Sequence, residues 1–115
     1  MENKLYSTEL IQMMAGGDEN FILKMIRLFI QQTPEMIKKL NKALEEGDLK
    51  QTKLIAHKMI SSIDMMGIES IRQEIRDLER SAAKNGSIEV IRSYVENIGK
   101  VLTLTLEQVK NDHKL

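Results

Sequence analysis

Residues 86–109 read GSIEVIRSYVENIGKVLTLTLEQV, and this stretch decides the fold class. Ile88, Ile91, Val95, Ile98, Leu102, Leu106 and Val109 follow one another at steps of three and four, which lines one side of an α-helix. Gly86 marks a helix stop, and Ser87 is an N-cap type whose side chain can accept an orphan backbone N–H. Working back, the same punctuation recurs. Ile68, Ile71, Ile75, Leu78 and Ala82 form a stripe behind Gly67, which reads as a structural turn. Gly47-Asp48 precedes a third stripe of Ile55, Met59, Ser62 or Ile63, and Met66, with Gln51 placed for a capping box. Gly16-Gly17-Asp18 precedes a second, made of Ile22, Ile26, Phe29, Thr33, Ile37, Leu40 and Leu44. Pro34 lies inside that run, but the stripe keeps its phase across it, which predicts one kinked helix.

No run alternates with period two, so strands are not expected. Short connections make sequential helices antiparallel neighbours. The expected fold is all-α: an up-down-up-down antiparallel four-helix bundle with a short extra N-terminal helix, forming a single domain over residues 1–115. Each apolar stripe can be buried within one bundle, so a monomer is expected.

Composition excludes several classes of function. There are 17 basic and 17 acidic side chains, so no large cationic field exists for nucleic acid or an anionic membrane surface. With no Cys, thiolate catalysis, disulfides and Cys-based metal sites are excluded. Aromatic residues make up 3%, too few for base-stacking platforms. Met1-Glu2-Asn3-Lys4 leads into no apolar run, so neither a signal peptide nor a membrane span is expected. A cytoplasmic protein fits these features; Met1 favours a free-standing one slightly, but a fragment of a larger protein could look the same. Walker loops, Gly-x-Ser-x-Gly elbows and His-Glu-x-x-His motifs are all missing.

The third helix carries His57. It lies two residues after Ile55, a rotation of about 200°, which places it on the face opposite the stripe. Its neighbours one and two turns away are Lys50, Lys53, Ser61 and Asp64, with Leu54 and Ile60 on the shoulders. On this geometry alone an ordinary surface histidine is the commoner reading. His113, in the polar tail Lys110-Asn111-Asp112-His113-Lys114, is expected to fray. Neither histidine has the Glu three residues earlier that a carboxylate-bridged metal bundle needs; Leu54 and Lys110 stand there.

The order of motifs adds to this. Asp18-Glu19-Asn20-Phe21, Leu28-Phe29, Thr33-Pro34-Glu35, Leu44, Gly47-Asp48, Ala56-His57, Ser62, Gly67 and Leu78-Glu79 occur in a sequence and spacing that resembles the histidine-containing phosphotransfer (HPt) domains of phosphorelays. The resemblance implies that His57 accepts a phosphoryl group from a receiver-domain aspartyl phosphate and passes it to another receiver. It implies partners among response-regulator receivers and hybrid sensor kinases, and a phosphoryl carrier rather than a turnover enzyme. No intrinsic cofactor or metal is implied, since the magnesium belongs to the receiver. It further implies that the first segment packs near the active histidine, so that Leu10, Ile11 and Met14 join Leu54, Ile60 and Asp64 in docking a partner.

The chain departs from the family where the chemistry is closest. Members usually carry Lys three residues after the histidine and Gly four after it; here stand Ile60 and Ser61. Lys53, one turn before His57, could partly replace the missing charge, and the Ser61 hydroxyl could donate to a phosphoryl oxygen. Lys58 points about 100° away. The alternative function is therefore a degenerate HPt-like bundle that binds receivers or kinases without phosphotransfer. Two minor features read as structure. Gly16-Gly17-Asp18-Glu19 is a helix boundary rather than a cyclase signature, and most of the eight Met are core filling.

Overall fold

The structure, a computed structural model, describes residues 4–115. Among the described residues the regular elements are helices: α1 spans Glu9–Ala15, α2 Glu19–Glu45, α3 Leu49–Met65, α4 Arg72–Ala83 and α5 Ile88–His113, with a 3-10 turn at Glu69–Ile71 ahead of α4. Helices α2 to α5 form the four-helix bundle, in which α3 packs on α2 and α4 while α5 closes the ring between α4 and α2. The short α1 rests on α2. At 27 residues α2 is about 40 Å long at 1.5 Å per residue, close to the 44 Å long axis of the molecule.

The apolar stripes meet in one core. Ile26, Phe29, Leu40, Ile55, Met59, Ile63, Ile75, Leu78, Ile91, Val95, Ile98 and Leu102 are all buried there. Pro34 does not break α2, which is continuous from Glu19 to Glu45. Thr52 and Thr105 are buried too, and each returns its hydroxyl to a carbonyl one turn earlier, Asp48 at 2.9 Å and Val101 at 2.7 Å. Such back-bonding lets a hydroxyl sit in an apolar core without a lost hydrogen bond.

The predicted caps form in part. Asp18 accepts from the N–H groups of Asn20 and Phe21, and Asp48 from that of Gln51. The return half of the Asp48 capping box is not made, because the Asp48 N–H already donates to the Ala43 carbonyl at 2.9 Å. Ser87 makes no side-chain cap, and Ile88, counted at the head of the last stripe, is 40% exposed. Asn85, rather than Gly86, takes the left-handed conformation that ends α4.

The polar tail does not fray. α5 continues to His113, where an N-terminal strap holds it. The buried Tyr6 donates its hydroxyl to Asp112 at 2.6 Å and lies 3.4 Å from His113 Nε2. The Leu5 N–H donates to Gln108 Oε1, and the Ser7 N–H to the Met66 carbonyl, both at 2.8 Å. Burial and the Asp112 contact push the Tyr6 phenol well above the usual tyrosine range. The sequence of residues 110–114 shows none of this, because the partners lie more than 100 residues away.

Candidate functional site

His57 lies on α3, in the seam with α4. Thr52, Ile55, Ala56, Met59 and Ile63 are the buried residues of α3. Because Thr52 and Ala56 are buried along with Ile55, the buried face of α3 is wider than the sequence stripe. His57 therefore sits at its shoulder rather than diametrically opposite. The ring remains 72% exposed.

Across the seam stands Glu79. It follows Leu78, which is fully buried, by about 100° and so flanks the core stripe of α4 on the side of α3. Its two carboxylate oxygens lie 2.9 and 3.0 Å from His57 Nδ1. An ionised carboxylate can only accept, so Nδ1 must carry the proton that it shares with Glu79. In the neutral ring that leaves the lone pair on Nε2, at the edge of the ring away from Glu79. Glu79 belongs to the motif series, but its role is not visible in sequence, since 22 residues and a turn separate it from His57.

The seam continues with charge. Asp64, two turns beyond His57, accepts from Arg72 Nε at 3.1 Å and from Arg76 Nη2 at 2.6 Å. Arg76 also donates Nη1 to the Arg72 carbonyl at 2.8 Å. The Arg76 hydrogen bond, reinforced by Arg72, holds the Asp64 carboxyl below the usual carboxylate range. Neither arginine was singled out from sequence; only the register of α3 against α4 brings them to this face.

The other expected site residues separate. Ile11 is fully buried and belongs to the core, so it is not a docking residue: its side chain helps fasten α1 to the bundle. Asp64 is paired with two arginines within the molecule, its side chain 30% exposed. Leu10, Met14 and Leu54 are exposed, at 43%, 54% and 47%, and Met13 reaches 79%. Ile60 is half-buried and packs against the core, so position 60 offers neither charge nor an open surface. Lys53 is exposed. The Ser61 hydroxyl donates to the Lys58 carbonyl at 3.2 Å. Of the methionines, Met59 and Met66 are core, Met25, Met36 and Met65 half-buried, and Met13 and Met14 exposed. Beside Ser61 the α2–α3 face carries an open dent of about 200 Å³, lined by Met25, Leu28, Phe29, Gln32 and Met65.

Gly67 turns the chain at the end of α3 with a φ of +56°, and its Cα faces the backbone of Ser7 in the strap. Among the described residues no group of three His, Asp or Glu could hold a metal ion, and no helix is long and apolar enough to cross a membrane.

Comparisons with known proteins agree with this fold. Among solved structures, the HPt domain of the Hpt sensor hybrid histidine kinase from Shewanella matches with a TM-score of 0.81 over 96% of both chains, at 19% identity. That likeness speaks for the fold. No curated protein matches the chain. A family model described as the Hpt domain matches residues 24–112, a span that takes in His57, Glu79 and both arginines but leaves out α1. The chain belongs to the Hpt domain family, the histidine-containing phosphotransfer modules of two-component signalling.

Proposed function

We propose that this chain is a phosphorelay intermediate that takes a phosphoryl group onto His57 from the aspartyl phosphate of one receiver domain and yields it to another. The observation that carries this reading is the exposed imidazole with Nδ1 held by both oxygens of Glu79. Nε2 of a neutral ring is a nucleophile at neutral pH. As its lone pair forms the N–P bond, the acyl-phosphate P–O bond breaks and the receiver regains its carboxylate. The ring keeps its Nδ1 proton and becomes a phosphorylated imidazolium, whose positive charge faces Glu79. A protonated ring is the better leaving group, so the same contact prepares the onward transfer.

A bundle helix fixes the direction of Nε2, and positioning supplies much of the rate in such a transfer. The receiver brings its own acidic cluster and divalent ion, so the carrier needs neither and is not a turnover enzyme by itself. Leu10, Met13, Met14 and Leu54 offer the partner an apolar surface, and a single copy of the chain suffices.

The test is exposure to a panel of phosphorylated receivers with intact-mass readout. One acid-labile phosphoryl group should be gained, and His57→Gln should gain none. If no receiver charges the protein, the carrier reading fails. Ile60, uncharged and packed on the core, favours a second reading, a bundle that binds receivers or kinases without transfer. Receiver binding that survives His57→Ala, with no transfer detected in the wild type, is the result that would select it.

A further inference from the structure

The α3–α4 register can be read from two contacts. His57 meets Glu79, and Asp64, seven residues on, meets Arg72, seven residues back. Three residues on from His57 is Ile60, and three back from Glu79 is Arg76, so the register puts these two at the same level of the seam. Arg76 lies one turn from Glu79 on α4, and the Glu79 carboxylate contributes to the field around it. Its guanidinium leans about one turn away from His57, towards Asp64.

A phosphoryl group on Nε2 brings up to two negative charges to the edge of the imidazole that faces away from Glu79. Something must offset them, and α3 gives Ile60 and Ser61 on the turn that follows. Resting on the carrier reading of His57, we propose that Arg76 is the phosphate-binding cation of this site: once His57 is phosphorylated, Arg76 turns from Asp64 to the phosphoryl oxygens while Arg72 keeps Asp64 paired. The exchange leaves no carboxylate stranded, because Arg72 Nε already donates to Asp64 at 3.1 Å. Arg76 uses two of its five N–H donors in the contacts seen, and its side chain is 35% exposed, so it can be re-aimed. An arginine stem spans about one helical turn in either direction, and a planar guanidinium matches two phosphoryl oxygens at once.

The experiment phosphorylates the full chain with phosphoramidate, where the Nε2–P bond forms as the P–N bond of the reagent breaks and ammonia leaves. Phosphorus NMR then follows the phosphohistidine signal with pH, assigned by its loss in His57→Gln. A guanidinium on the phosphoryl group favours the dianion, so Arg76→Gln should move the titration midpoint up by about one pH unit. Arg76→Lys should move it less. Ile60→Lys added to Arg76→Gln should bring the midpoint back, because position 60 lies one turn from His57 and a lysine there can extend its ammonium towards solvent. An unchanged midpoint in Arg76→Gln overturns the proposal and leaves the carrier reading standing. A midpoint that moves in Lys53→Gln but not in Arg76→Gln assigns the charge to Lys53 and also overturns it. Absence of any phosphohistidine removes both readings together.

Discussion

Replacing Gly67 with Ala tests how the N-terminal strap is joined to the helix that bears His57. Gly67 and Gly47 both end a helix with positive φ, at +56° and +66°. An alanine in that region costs about 1–2 kcal/mol at either position. The surroundings differ. A Cβ at Gly47 meets nothing within 4 Å, whereas one at Gly67 would lie 3.0 Å from Ser7 Cβ and 3.2 Å from both its N and O. Two of those atoms are backbone, so the strap itself must retreat, weakening the hydrogen bond from the Ser7 N–H to the Met66 carbonyl. Crowding of this kind costs about 1–3 kcal/mol more, the lost bond included. With about 4 °C per kcal/mol for a domain of this length, Gly67→Ala should melt roughly 4–12 °C below Gly47→Ala. Thermal unfolding followed by circular dichroism measures the difference, and hydrogen exchange at the Ser7 amide should quicken only in the first variant. If the two variants melt together, the strap is not seated on Gly67 as described, and the reasoning from close approach is wrong.

Other outcomes follow from the seam and from α1. Glu79→Gln keeps an acceptor for Nδ1 but removes the charge facing the imidazolium, so transfer from a receiver should slow about tenfold, and Glu79→Leu should slow it further; equal rates in rapid-quench measurements would show that Glu79 only positions the ring. Leu10→Lys should leave the melting temperature nearly unchanged and weaken receiver binding, whereas Ile11→Ala should cost about 2–5 kcal/mol of stability. Calorimetric titration and melts on the two variants would expose a reversed pattern. Asp64 has a folded-state pKa below its unfolded value. Its contribution to stability is thus present above about pH 4, the unfolded value, and is lost as pH falls through the folded one. Asp64→Asn should flatten that acid limb in urea unfolding curves, while the limb left by Asp112, lowered chiefly by the Tyr6 hydroxyl, should remain. An unchanged slope would mean that the arginine clamp does not hold Asp64 in solution.

Helical period and punctuation settled the fold class from sequence alone, because each stripe from Ile22 to Val109 repeats often enough to define a face. The same local logic identified the Asp18 and Asp48 caps, whose partners lie two or three residues away. His57 and Gly67 were also legible, as a polar residue off the core stripe and a glycine at a helix end. What period cannot supply is how far one helix slides along another. Ile11 looked like a companion of Leu10 until α1 was seen to turn it inward, and the tail beyond Val109 looked loose until Tyr6 reached it. The pairing of His57 with Glu79, and of Asp64 with two arginines, depends on the α3–α4 register, which the turn at 66–68 and the packing of Ile63, Ile71 and Ile75 impose. Sequence by itself determined the bundle and singled out His57; only the tertiary structure decided which charges stand around that histidine, because their neighbours are set by packing between helices and not by spacing along one.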